Sequence, residues 1–80
     1  MAIKHVNSKI DWFIICKVKE MRVKRGLTQP DIAFYLQVSK GFIGHVESPK
    51  FRAKYNTTHL NELAKLFNRS PKDFMPDKPF

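Results

Sequence analysis

Three times in eighty residues a hydroxyl side chain is followed, three positions later, by an aspartate: Ser8…Asp11, Thr28…Asp31 and Ser70…Asp73. This is the acidic relative of the capping box. The Ser or Thr oxygen accepts an orphan backbone N–H at a helix start, and the carboxylate lies in the positive first turn. A chain that starts helices this often must keep them short and bury them against one another. No convincing strand pattern interrupts them.

The first cap predicts a helix over about 9–24. Ile10, Ile14, Val18 and Met21 fall on one face, Phe13 widens that stripe, and Cys16 is expected partly buried. Gly26 is the left-handed residue that stops it. Thr28 caps a second helix in which Pro30 is tolerated, because its missing N–H has no partner so early in a helix. Ile32, Ala33 and Leu36 are its inward face. After Gln37-Val38, Ser39 caps a third helix ending at Glu47, with Ile43 and Val46 inward and Lys40, Gly41, Gly44 and His45 outward. Asn56 caps a fourth helix, where Leu60, Leu63, Ala64 and Phe67 keep an i, i+3, i+4, i+7 spacing. Ser70 caps a short fifth helix, with Pro71 at its first position, Phe74 inward and Pro76 as the stop. Trp12, Phe13 and Phe34 are expected in packing roles. The expected fold is an all-α, compact five-helix domain over 9–76, with a flexible arm at 1–8 and a tail at 77–80.

Charge narrows the function. Fifteen Lys+Arg against seven Asp+Glu leave a net charge of +8, which draws a polyanion. With 42% hydrophobic and 12% aromatic residues, the chain is no disordered basic tail. The lone Cys16 excludes an internal disulfide framework and fits a reducing, cytoplasmic setting. No run approaches the roughly 20 apolar residues of a membrane span. His5, His45 and His59 lie on three segments without ligand-like spacing, and no Gly-rich phosphate loop is present, so neither an enzyme, a metal site nor any other cofactor is expected.

Helices two and three, joined by a few residues and with small Ala33 in the first, describe a helix-turn-helix. The run Arg25-Gly26-Leu27-Thr28-Gln29-Pro30-Asp31-Ile32-Ala33…Leu36-Gln37-Val38-Ser39…Phe42-Ile43…Val46-Glu47 resembles the phage-repressor-like (XRE/Cro) DNA-binding family. The resemblance extends over roughly residues 10 to 75 and implies a lambda-repressor-like fold. It departs at Gln37, where the family usually carries Gly, and at Gly41 and Gly44 inside the third helix.

That resemblance implies a transcription regulator, a repressor by preference, with residues 39–47 as the recognition helix in the major groove of double-stranded DNA. Lys40 and His45 would contact bases; at Gly41 and Gly44, which depart from the family, either the backbone approaches the bases closely or direct readout is sparse and rests on Lys40, His45 and Phe42. Gln29 would grip a phosphate from the start of the second helix. Arg22 and Glu47 match the family's internal ion pair, a structural role. The loop after the third helix, with Lys50, Arg52, Lys54, Tyr55 and Asn56, is the candidate phosphate clamp. A homodimer on a palindromic operator is expected, formed on DNA or before it, with the fifth-helix region as its surface; Phe74, Met75 and Phe80 would make a dimer seam or a partner surface. The competing reading is an antitoxin-like or adaptor module that uses the same fold to bind another protein.

Overall fold

The computed structural model describes residues 5–80. Four α-helices follow in order: α1 (Lys9–Lys24), α2 (Gln29–Leu36), α3 (Lys40–Val46) and α4 (Thr57–Phe67); a single 3-10 turn (Pro71–Phe74) comes last. The expected fifth helix is that turn. Only Lys72 to Met75 lie between Pro71 at its start and Pro76 at its stop, and Met75, preceding Pro76, is extended at φ −95°, ψ 151°.

Every α-helix opens on its own side-chain cap. The Ser8, Thr28 and Ser39 oxygens accept the backbone N–H of Asp11, Asp31 and Phe42, and Asn56 accepts that of His59. At Thr28 the box is reciprocal: the Asp31 carboxylate accepts the Thr28 N–H at 2.8 Å. That bond and the Thr28 hydroxyl hold the Asp31 pKa below the usual carboxylate value.

Three helices also close alike. Leu27 N–H donates to Arg22 O, Val38 N–H to Ala33 O, and Arg69 N–H to Ala64 O. Each closure requires one left-handed residue, and these are Gly26 (φ 68°), Gln37 (φ 58°) and Asn68 (φ 55°). Gln37 therefore adopts a glycine conformation with a side chain attached.

The core gathers Ile15, Val18, Ile32, Ile43, Val46, Leu63, Phe67 and Phe74, all less than 2% exposed. The stripe expected on α1 is rotated. Ile14, Ile15, Val18 and Arg22 face inward, whereas Ile10 is exposed and Met21 only partly buried. The reason is that an inward arginine conceals the apolar phase. Cys16 is exposed rather than partly buried. Phe34, expected to pack, is 87% exposed.

The described residues at both ends lie against the body of the domain. Residues 1–4 of the expected arm lie outside the described residues. Over 5–8 the chain is held: Val6 N–H donates to Pro49 O at 3.1 Å, and buried Asn7 donates its amide to Phe51 O and Ala53 O. The tail folds back as well, with the Phe80 ring edge-on to Phe13 at 5.9 Å.

Candidate nucleic-acid interface

The turn Gln37-Val38-Ser39 sets α3 against α2, and Ile43 and Val46 anchor α3 from beneath. With those two buried, the 3.6-residue period leaves Lys40, Gly41 and His45 exposed and Gly44 half-buried. The C-terminal end of α3 is held by charge. Arg22 Nε donates to Glu47 Oε2 at 2.9 Å and Arg22 Nη2 to Glu47 Oε1 at 2.8 Å, while Nη1 reaches Leu27 O. Both side chains are nearly sealed from solvent, at 11% and 3% exposure. Planar guanidinium and carboxylate meet here with two parallel bonds, the strongest form of such a pair.

Gln29 faces inward to this pair. Its Nε2 donates to Glu47 Oε1 at 3.0 Å, so its side-chain amide is engaged inside the protein. Its Oε1 is also the atom nearest to where a Cβ on Gly44 would stand, at 3.6 Å. That is ordinary contact distance, so neither Gly44 nor Gly41 is demanded by crowding within the chain.

The loop after α3 divides its expected phosphate ligands. Lys50 and Arg52 are exposed and, among the described residues, pair with no carboxylate. Lys54 is exposed but its Nζ sits 3.0 Å from Asp11 Oδ2. Partial burial would raise the Asp11 pKa, but the Ser8 hydroxyl and the Lys54 ammonium outweigh it and hold it below its ordinary value. An exposed pair like this is worth about 0–1 kcal/mol, so Lys54 exchanges partners cheaply.

Tyr55 and Asn56 depart from the expectation. Tyr55 is a core residue, 7% exposed, and among the described residues its hydroxyl has no hydrogen-bond partner. Burial, and then the Glu47 carboxylate, push its phenol well above the usual range. In this conformation it presents nothing to a phosphate. Asn56 uses its side-chain oxygen to accept the His59 N–H at 2.8 Å, and its own N–H donates to His59 Nδ1 at 3.1 Å. It is a cap first.

Two residues missed by sequence reasoning join the site. Phe51, 44% exposed, stacks on His45 with ring centroids 4.1 Å apart and planes 13° apart. The stack fuses the outer face of α3 with the cationic loop into one surface. Its only signal in the sequence is an aromatic standing between Lys50 and Arg52. Asn7 fastens that loop from 44 and 46 positions away, and nothing local announces it.

Among the described residues, no group of three or more His, Cys, Asp or Glu side chains is placed to hold a metal ion. No helix there is long and apolar enough to cross a membrane. No protein-family model matches the chain, and no curated protein matches it. The chain is similar to a solved structure, the restriction-modification controller protein C.AhdI from Aeromonas hydrophila, at a TM-score of 0.65 and 21% identity, covering 79% of this chain and 92% of that one. At that identity the match establishes the fold, and the chain shares the architecture of this controller protein.

Proposed function

We propose that this protein is a sequence-specific double-stranded DNA-binding transcription regulator, acting as a repressor, with α3 and its cap Ser39 as the recognition element. One observation carries the reading: the exposed outer face of α3 is joined through the His45–Phe51 stack to a loop whose Lys50 and Arg52 carry unpaired charge among the described residues. A short helix of small and polar outward residues, flanked by cations, fits a major groove, where base edges are read and phosphates fix the register. The likeness to a controller protein supports the same reading.

Lys40 and His45 contact base edges, and the backbone at Gly41 and Gly44 lets the duplex come close. Lys50, Arg52 and Lys54 hold phosphates. Gln29 contributes through its backbone N–H at the start of α2, since its side chain is engaged with Glu47. Occupancy of an operator by this domain excludes polymerase.

A homodimer on a palindromic operator fits the same reading. Its seam is the shallow depression lined by Thr57, Leu60, Pro71, Lys72 and Met75. Phe74, expected in that seam, is fully buried in the monomer core.

A second reading, a protein-interaction module, is favoured by Phe34, which α2 presents to solvent at 87% exposure. Selection of binding sites from random duplex DNA, followed by titration at two salt concentrations, separates the two. The regulator reading expects an enriched palindromic motif and affinity that falls steeply with salt. Absence of salt-dependent duplex binding sinks it.

A further inference from the structure

We infer that Phe51 is the positioning residue that determines how His45 presents its imidazole to a base edge, and that Asn7 holds Phe51 in place for that task. This rests on the DNA-reading role proposed above. A stacked imidazole is engaged through its face, whereas its hydrogen bonds lie in the ring plane. The Phe51 ring, parallel within 13° and 4.1 Å away, thus restrains the His45 ring and leaves its nitrogen edges available.

Phe51 can act this way because its loop is fixed to the body of the protein. Its N–H donates to Ser48 O at 3.4 Å, and its carbonyl accepts from Asn7 Nδ2 at 3.4 Å. The same Asn7 amide reaches Ala53 O at 3.2 Å, and Val6 N–H pairs with Pro49 O. The segment bearing Asn7 is itself seated on α1: His5 stacks on Trp12 at 5.2 Å, and its Nδ1 donates to Asn7 O at 2.9 Å. A mechanical path therefore runs from α1 through His5 and Asn7 to the loop carbonyls, then through Phe51 to His45. Among the described residues three polar or charged side chains are buried: Asn7 and the Arg22–Glu47 pair that holds the C-terminal end of α3. Buried polar groups thus secure the reading surface from two sides.

The test compares Phe51→Ala, Phe51→Trp and Asn7→Ala with the unaltered protein. Binding to the selected duplex and to a random duplex is read by fluorescence anisotropy, with the His45 ring proton shifts read by NMR. Phe51 lies outside the core, so Phe51→Ala is expected to fold; thermal melting checks this. The expected result is a fall of about two- to tenfold in the preference for the selected duplex, the scale of one aromatic pairing. Random-duplex affinity falls by less than affinity for the selected duplex, and the salt dependence is kept because no charge is removed. The His45 ring protons lose the upfield shift imposed by the Phe51 ring, Phe51→Trp restores shift and preference together, and Asn7→Ala moves both the same way by less. Unchanged preference in Phe51→Ala, or equal weakening on both duplexes, overturns the positioning role while leaving the DNA-reading role standing. If the unaltered protein prefers no duplex, the DNA-reading role fails and takes this inference with it.

Discussion

Helices α3 and α4 begin in the same way, on a side-chain oxygen that accepts the N–H three residues on. Beyond that they have little in common. The eleven residues of α4 carry a complete apolar stripe, so its own pattern buries Leu60, Leu63, Ala64 and Phe67. The seven of α3 include two glycines and only two buried residues. Isolated helices this short are marginal at best, and each interior glycine costs about 1 kcal/mol relative to alanine. What keeps α3 in shape lies outside it: α2 beneath, the Arg22–Glu47 pair at its C-terminal end, and the Asn7-held loop at its side. A helix held from outside leaves its outer face to be chosen for another purpose, and here that face is small, basic and open.

The difference between the two helices is most severely tested at Glu47. Glu47→Ala leaves Arg22 charged and nearly buried without its partner, and is expected to cost about 3–5 kcal/mol of folding stability. Urea denaturation reads this directly. A loss below about 1 kcal/mol would mean that α3 sustains itself and that the contrast with α4 is mistaken.

Gly41→Ala and Gly44→Ala sharpen the same contrast from the opposite direction. The new methyl groups meet only Ser39 Oγ at 3.9 Å and Gln29 Oε1 at 3.6 Å. Each variant should therefore gain about 1 kcal/mol in stability and melt at a higher temperature. Duplex affinity should fall in the same variants if the bare backbone is where DNA approaches. Variants that are both more stable and equally good DNA binders would remove the glycines from the interface.

A smaller effect is expected at the turn before α3. Gln37→Gly relieves roughly 1–2 kcal/mol of left-handed strain and returns about 0.5–1 kcal/mol to the unfolded chain, for a net gain of about 0–1.5 kcal/mol. A loss of stability would show that the Gln37 side chain contributes more than its backbone costs.

The weakest effect concerns the cap of α4. His59 Nδ1 accepts the Asn56 N–H, which only the neutral ring does, and burial lowers the His59 pKa from its ordinary 6.5. The native state thus binds this proton less well than the unfolded chain. Its contribution is fully present above pH 6.5 and is lost as pH falls through the lower, folded-state pKa. The expected loss is about 0.5–1 kcal/mol, a cap's worth, read as a drop in urea midpoint between pH 8 and pH 5. His59→Gln, which still caps from the same position, should flatten that drop; an unaltered slope would assign it to other groups.

Much of this molecule is readable from local chemistry. The Ser8, Thr28, Ser39 and Asn56 caps, the α4 stripe and the helix-turn-helix spacing all lie within a few residues of where they act. Local chemistry misleads where a residue's role depends on something distant. Arg22 broke the apparent phase of α1 because its partner is 25 positions away. Tyr55 looked like a surface donor in a basic loop, yet the core takes its ring.

By itself the sequence determined an all-helical chain, its helix starts, most of its core and a basic loop beside a short polar helix, because capping, periodicity and charge are local or additive. Only the tertiary structure decided that Gln29 turns inward to Glu47, that Asn7 fastens the loop, and that Phe51 lies flat on His45. Those choices depend on which surfaces meet once the helices pack. Contacts across 18, 44 and 6 positions bring together groups whose spacing along the chain carries no periodic signal.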